Sequence, residues 1–304
     1  MTRSRSIPLA LSLVLAGTFA CKGEEEKPAD DKKDAKKAEP LPAPDPEPDV
    51  PEMDLSGPKP PEVGAVFFSV DGALLPLACY DATKKELRGG SACASMVAEG
   101  TELYMASSFG KKTLDKTGAG TKVSLCGDEN ALPTAQLDAG GAFDWAVWPK
   151  SVAPGVVQID PKTWSDRGAL LSDEEKAKVE AAIAKTSQAK GEFRSRQKAS
   201  TDIDGDGKDE IFVSAVIAHP TDPDRNLFSA LYMAPAGNWD GLILIDRGKK
   251  DIDVVRLRGT VDLDGDGKRE LWTGIIFEGG AGDRVMKMAE GSKPEILAAW
   301  TCGA

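Results

Sequence analysis

The sequence predicts a mainly β protein, built from blade-like four-stranded antiparallel units with one short helix, after a disordered stalk. Short apolar runs alternate with Asp-Gly and Gly-Gly turns, which is typical of strands joined by tight connections. An acidic loop occurs twice, at 202–210 and 262–270, each time between apolar runs. The residues before position 63 contain few apolar side chains outside one N-terminal segment, so the core is expected in the remainder.

Residues 1–20 are predicted to be a secretory signal peptide. Arg3 and Arg5 precede an apolar stretch over 7–20 that is shorter than a typical membrane span. No later apolar run approaches the length needed to cross a membrane.

The signal ends in Thr-Phe-Ala-Cys and resembles the lipobox of bacterial lipoproteins. This resemblance implies that Cys21 is lipidated and becomes the mature N-terminus, which places the protein in the bacterial cell envelope. Lys22 after the cysteine favours the outer membrane under the same resemblance. An ordinary signal-peptidase cut nearby is the alternative.

Residues 21–62 are predicted to form a lipid-anchored, disordered stalk. Lysines alternate with acids first, and closely spaced prolines follow over 40–48. Such a segment has too few apolar side chains to offset the entropy lost on ordering, and the prolines favour extended polyproline-like structure. We expect a spacer between the membrane and the folded head.

The charge balance limits the possible partners. The chain carries 49 acidic and 38 basic side chains, a formal net charge of −11. This charge argues against nucleic acid and against simple attraction to anionic lipid, whereas it suits cation binding.

Four cysteines follow the predicted lipidation site, namely Cys79, Cys93, Cys126 and Cys302. An even number in an exported chain predicts disulfides, and the three possible connectivities stay open. Cys79 and Cys93 flank a loop with two glycines that could fold back. A zinc site is the alternative, but the C-x-x-C spacing typical of such sites is absent.

Residues 63–170 are predicted to be an N-terminal β-rich region. Asp71-Gly72 lies between two apolar runs and predicts a hairpin. The strands expected in this region are 66–70, 73–79, 102–106, 122–126 and 143–148.

Residues 171–192 are predicted to be a helix and its connector. Ser172 and Glu175 have the spacing of a capping box, and a helix-prone segment extends to about Lys185.

Residues 193–304 are predicted to contain two repeats, each with a strand, the acidic loop and three further strands. Four short strands in about 40–60 residues are typical of a β-propeller blade, so a partial or degenerate propeller-like arrangement is expected. The predicted strands are 193–200, 211–218, 227–234 and 241–245 in the first repeat, and 253–260, 271–277, 284–289 and 295–300 in the second.

The acidic loops have the chemistry of calcium sites. Aspartates at alternate positions supply anionic oxygens, and the intervening glycines let the backbone curl around a cation. These aspartates are Asp202, Asp204 and Asp206 in one loop and Asp262, Asp264 and Asp266 in the other. An EF-hand would need a glutamate where Val213 and Thr273 stand. A solvated acidic turn without an ion is the remaining alternative.

The loop pattern D-x-D-G-D-G-x-x-E-[IL] resembles the FG-GAP and VCBS-type repeats of integrin-like propellers and bacterial surface proteins. The resemblance covers residues 193 to 300 and implies two Ca²⁺ sites. It implies ligands from Asp202, Asp204, Asp206, the carbonyl of Lys208 and Glu210 in the first. It implies ligands from Asp262, Asp264, Asp266, the carbonyl of Lys268 and Glu270 in the second. The phenylalanine-glycine and glycine-alanine-proline signatures of those repeats are absent.

We found no catalytic motif in the sequence, and His219, the one histidine, is interpreted as a surface loop residue. The favoured interpretation is a non-enzymatic binding or adhesion module with a protein or glycan ligand. One alternative is a structural envelope protein in which calcium only locks the fold. Another is a hydrolase with active carboxylates within 63–165.

Overall fold

The computed structural model describes residues 64–70, 72–122, 131–135, 143–165, 170–222, 224–248, 253–289 and 293–303. The predicted signal peptide, the stalk and Cys21 lie outside these residues.

The described residues form sixteen strands and one α-helix, with short 3-10 segments between them. The strands are β1 (Ala65–Val70), β2 (Leu74–Asp81), β3 (Glu86–Gly89), β4 (Glu102–Ala106), β5 (Lys112–Lys122), β6 (Ala131–Ala135), β7 (Trp145–Trp148), β8 (Val157–Gln158), β9 (Glu192–Thr201), β10 (Glu210–Ala218), β11 (Asn226–Ala234), β12 (Ile243–Arg247), β13 (Val254–Val261), β14 (Glu270–Phe277), β15 (Gly280–Met288) and β16 (Pro294–Gly303). The helix, α1, spans Asp173–Thr186.

The strands form three antiparallel sheets, which confirms the mainly β prediction. The N-terminal sheet has the order β3-β2-β1-β7-β4-β5-β6. The first repeat sheet has the order β12-β11-β10-β9, and the second repeat sheet has the order β16-β15-β14-β13-β8. Each sheet is open and has two edge strands. Strands β9 to β12 and strands β13 to β16 follow one another in chain order within their sheets. This order is expected for a strand, an acidic loop and three further strands.

The helix begins where the sequence predicts. The Ser172 hydroxyl accepts a hydrogen bond from the Glu175 backbone N–H, and the Glu175 carboxylate accepts one from the Ser172 N–H. These two bonds satisfy backbone donors that the first helical turn leaves free. Val179 and Ile183, one turn apart, are buried and attach the helix to the first repeat sheet.

The described N-terminal region contains four strands that the sequence did not predict. Strand β5, which ends at Lys122 and pairs with β4, was not predicted, and the strand expected at 122–126 overlaps it only at Lys122. Its polar and glycine-rich sequence lacks the apolar alternation used to predict strands, and residues 123–126 lie outside the described chain. The short strands β3 and β6 were not predicted. Neither was β8, whose two residues add a fifth strand to the second repeat sheet.

The sheets stack face to face, because their strands are apolar on both sides. Along β1, Phe67 faces the second repeat sheet and Phe68 faces a separate core cluster. The opposite face of the second repeat sheet, with Leu257, packs on the first repeat sheet, with Phe212. Helix α1 covers the far side of the first repeat sheet. The order of layers is therefore N-terminal sheet, second repeat sheet, first repeat sheet and helix.

An aromatic contact joins the first two layers. The rings of Phe67 and Trp272 are 5.3 Å apart at an interplanar angle of 74°. This edge-to-face geometry adds about 0.5–1.5 kcal/mol to the free energy gained by burying the rings.

We predict that Phe67→Ala lowers the free energy of unfolding by about 3–5 kcal/mol, because it leaves a cavity between two sheets. Phe109→Ala is the matched control, since 91% of Phe109 is exposed, and it should change stability by less than about 0.5 kcal/mol. Chemical denaturation measures both. Equal losses would contradict the stacked-sheet core.

Candidate metal centre

Each acidic loop connects two paired strands of one repeat sheet. Loop 1, residues 202–210, follows β9 and runs into β10, and loop 2, residues 262–270, follows β13 and runs into β14. The apolar residue between the first two aspartates anchors each loop. Ile203 and Leu263 are buried in the cores on either side of the second repeat sheet. The neighbouring aspartates are consequently held at the end of the sheet.

The glycines permit the loop backbone. Gly205 and Gly207 have φ values of 78° and 81°, and Gly265 and Gly267 have 75° and 86°. A residue with a Cβ is strained in this left-handed region, whereas glycine is not.

The first aspartate of each loop closes the turn. Asp202 accepts hydrogen bonds from the backbone N–H groups of Gly205 at 2.8 Å and Gly207 at 3.0 Å. Asp262 accepts the equivalent bonds at 2.8 Å and 3.2 Å. The sequence repeat is thus also a repeat of geometry.

Several carboxylates converge in both loops. Oxygens of Asp202, Asp204 and Glu210 lie within 4.8 Å of one another in loop 1. Oxygens of Asp262, Asp264 and Asp266 do the same in loop 2. Both groups could hold a metal ion, and all their ligand atoms are hard oxygens.

The third aspartate of each loop, Asp206 or Asp266, also accepts a hydrogen bond within its own loop. Asp206 accepts a hydrogen bond from the Lys208 N–H at 2.7 Å, and Asp266 accepts one from the Lys268 N–H at 2.7 Å. The Lys208 ammonium group also lies 3.4 Å from the Asp206 carboxylate, so a lysine partly offsets negative charge there.

The glutamate that ends each loop is the most buried acid of its set. Glu210 is 4% exposed and Glu270 is 5% exposed. Glu210 accepts hydrogen bonds from the N–H groups of Ile203 at 2.9 Å and Ala236 at 3.3 Å. Glu270 accepts one from Leu263 at 3.2 Å. These bonds fix the orientation of each buried carboxylate next to the aspartates of its loop.

Burial and mutual repulsion make the inner acids hard to ionise. Burial, together with the charges of Asp264 and Asp262, raises the pKa of Glu270 to about 8. Burial is also the main reason that the pKa values of Glu210 and Asp264 are raised. A bound cation would reverse this effect, because it favours the ionised form.

Asp202 behaves in the opposite way. Partial desolvation acts to raise its pKa, but hydrogen bonds from Gly205 and Gly207 and the charge of Arg269 outweigh that effect, so its pKa is lowered. The first residue of loop 1 is therefore a carboxylate that is readily ionised.

The two loops touch each other, which the sequence analysis did not predict. The Arg269 backbone N–H donates to the Ile203 carbonyl at 2.8 Å, and its guanidinium Nη1 donates to the Asp202 carbonyl at 2.7 Å. A Cβ on Gly205 would lie 2.8 Å from the Gly267 carbonyl oxygen. The sequence contains one sign of this contact, because the position of Asp209 in loop 1 is occupied by the oppositely charged Arg269 in loop 2.

The other predicted site residues that the structure describes lie outside the two loops. Cys79 and Cys93 form a disulfide, which confirms one predicted pairing. Cys126 and the side chain of Cys302 lie outside the described part of the chain. His219 is in an exposed turn, where its Nδ1 lies 3.2 Å from the Thr221 hydroxyl. Among the described helices, none is long and apolar enough to span a membrane.

No protein-family model matches this sequence, and neither a curated protein nor a solved structure matches it.

We predict that the metal-free protein becomes less stable as pH rises from about 5 to 8. In this range the folded state keeps a proton on Glu270, whose pKa is about 8, while the unfolded state, in which the glutamate has its ordinary pKa of 4.5, has lost it. Stability falls wherever the folded state binds more protons, here by about 2–4 kcal/mol. Denaturation in chelator at several pH values measures the slope.

Glu270→Gln should remove much of that slope, because an amide does not titrate, while Glu210 retains a smaller effect in the same direction. Glu99→Gln, in an exposed turn, is the control and should keep the full slope. A wild-type stability that is flat or rises across this range would contradict the burial of an uncompensated acid.

Proposed function

We propose that this chain is a calcium-binding β module of the bacterial cell envelope, with one Ca²⁺ in each acidic loop. The observation that carries the proposal is the convergence of carboxylates in both loops beside a buried glutamate. Like charges at such short distances repel one another, and a cation removes that repulsion. Carboxylates converge in both copies of the motif, with Glu210 as the third member in loop 1 and Asp266 in loop 2, which favours a binding site over a chance cluster.

In this proposal, Asp202, Asp204, Asp206, the Lys208 carbonyl and Glu210 hold the first ion. The corresponding ligands of the second ion are Asp262, Asp264, Asp266, the Lys268 carbonyl and Glu270. The resemblance of the loops to FG-GAP and VCBS-type repeats supports this set. The face-to-face stacking of the sheets supports a partial propeller-like arrangement, in which each repeat sheet is a blade.

The donor set favours calcium over other metals. Calcium accepts six to eight oxygen ligands in flexible geometry, whereas magnesium requires a near-ideal octahedron and retains water. Histidine and cysteine, the usual ligands of zinc, are absent from both loops. The raised pKa of Glu270 implies that ion binding releases a proton, so calcium affinity should increase with pH.

The ions would stabilise the structure at the contact between the repeat sheets. Each loop joins two strands of its own sheet, and Arg269 connects loop 2 to the backbone of loop 1. An ion that orders one loop would therefore also support the other. Calcium would therefore stabilise the folded head that follows the predicted stalk.

The lipidated Cys21 and the stalk over 21–62 would tether this head to the membrane, with the outer membrane favoured by Lys22. The role we infer for the head is non-enzymatic binding or adhesion. The calcium loops are then structural supports for a ligand surface elsewhere on the head.

We predict that millimolar calcium raises the melting temperature by about 5–10 °C relative to chelator, because a ligand bound only to the folded state stabilises it. Magnesium at the same concentration should have a much smaller effect. The double variant Asp204→Ala with Asp264→Ala should lose the calcium shift, since each loop loses a ligand.

Glu99→Ala is the control variant, because it removes an exposed acid outside the loops. It should keep the full calcium shift. If wild-type protein melted at the same temperature in calcium and chelator, the loops would be solvated acidic turns and the proposal would fail.

A further inference from the structure

Arg256 has a guanidinium group without an ion-pair partner among the described residues. It lies on β13 and lines a pocket of about 200 Å³. Its Nε is buried without a hydrogen-bond partner, and among the described residues no carboxylate forms an ion pair with it. The guanidinium group makes a cation–π contact with Trp164, whose ring centroid lies 6.0 Å from the guanidinium carbon.

The nearby acids are already committed to other donors. Arg258, two residues along the same strand, pairs with Asp283 at 2.7 Å and with Asp144 at 3.3 Å. Asp283 also accepts hydrogen bonds from the Ser69 hydroxyl and the Trp272 indole. Asp144 in addition accepts from the Ser108 hydroxyl at 2.6 Å. Arg256 is therefore left as the unpaired member of two adjacent arginines.

The backbone beneath these arginines makes room for both. Gly274 is the β14 residue paired with Arg256. A Cβ there would lie 2.7 Å from Cδ of Arg258 and 3.5 Å from Nε of Arg256. The missing side chain lets two like charges occupy one face of the sheet.

This arrangement is unfavourable unless an anion joins it. Burial, followed by the charge of Arg258, lowers the pKa of Arg256, and the charges of Asp283 and Asp144 offset this effect only in part. A guanidinium removed from water needs a charged partner, and its planar fork matches a carboxylate or phosphate with two parallel hydrogen bonds.

A larger pocket of about 500 Å³ adjoins the first. The two share five lining residues, Ser108, Gln158, Ile159, Asp160 and Pro161. The larger pocket is lined by Tyr104 and by Phe109, which is 91% exposed, along with polar side chains. Tyr104 is half-buried, with its ring 6.0 Å from that of Trp145. An exposed aromatic side chain and a half-buried one next to polar groups suit a sugar ring, which has apolar faces and hydroxyl edges.

The combined lining is positive, in contrast to the chain as a whole. Its basic residues are Lys112, Lys162, Arg256 and Arg258, and its acidic residues are Asp144 and Asp160. Asp160 is engaged as a cap, because it accepts a hydrogen bond from the Lys162 N–H at 2.8 Å. In a protein of net charge −11, this surface is distinctive and would attract an anion.

We propose that these two pockets form a binding site for an acidic saccharide, with the sugar carboxylate on Arg256 and a ring against Phe109 and Tyr104. The proposal rests on the binding role given above and names its ligand class. Its residues lie outside both acidic loops, so it can succeed or fail separately from the calcium sites.

Calorimetric titration of the protein purified from cells expressing the full chain tests this with two matched disaccharides. Cellobiouronate carries a carboxylate, and cellobiose is its neutral counterpart. We expect cellobiouronate to bind at least about tenfold more tightly, because a charge-assisted bidentate contact is lost in cellobiose. Equal affinities, or no heat from cellobiouronate at millimolar concentration, would overturn the proposal.

Variants locate the site. Arg256→Gln should weaken cellobiouronate binding at least about tenfold, and Arg256→Lys should give a smaller loss because it keeps the charge without the planar fork. Arg247→Gln, on β12 of the first repeat sheet, is the control and should bind as wild type does. Undiminished binding by Arg256→Gln would contradict the assignment.

Two further measurements remove ambiguity. Phe109→Ala changes an exposed side chain and should fold normally, so a several-fold loss of cellobiouronate affinity is expected even if Arg256→Gln were to misfold. Inorganic phosphate that binds as tightly as cellobiouronate would indicate a bare anion site and overturn the saccharide assignment. Melts in calcium on the same samples separate the two proposals, since a calcium shift without sugar binding refutes only this one.

Discussion

The clustering of carboxylates in two small loops is the constraint on which this protein depends. Backbone N–H groups and left-handed glycines hold the aspartates together, and the buried glutamates close the clusters from behind. Without a cation, this geometry confines negative charge in a partly desolvated space, as the raised pKa of Glu270 indicates. The favourable free energy of folding of the rest of the head must offset this electrostatic repulsion.

The stacked sheets provide the support. Loop 1 is anchored through Ile203 in the core between the repeat sheets, and loop 2 through Leu263 in the core against the N-terminal sheet. Arg269 then joins the loops directly. Binding of a cation at either loop would therefore influence the packing of all three sheets. For this reason a cation would affect stability even in a protein with an extensive apolar core.

Local features of this fold could be predicted from the sequence, whereas contacts between distant segments could not. The capping box at Ser172 and the strands around each acidic loop depend on residues close together in sequence, and both were predicted correctly. The two-residue strand β8 joins the second repeat sheet through pairing that its own sequence does not indicate. The contact between the loops and the unpaired state of Arg256 likewise arise only when remote strands pack together.

The number of calcium ions bound per chain can be measured by equilibrium dialysis at neutral pH, with the full chain and the Asp264→Ala variant. We expect two ions in the wild-type protein and weakened binding at one site in the variant, because each loop has its own ligand set. Failure of the wild-type protein to bind calcium at millimolar concentration would contradict this expectation.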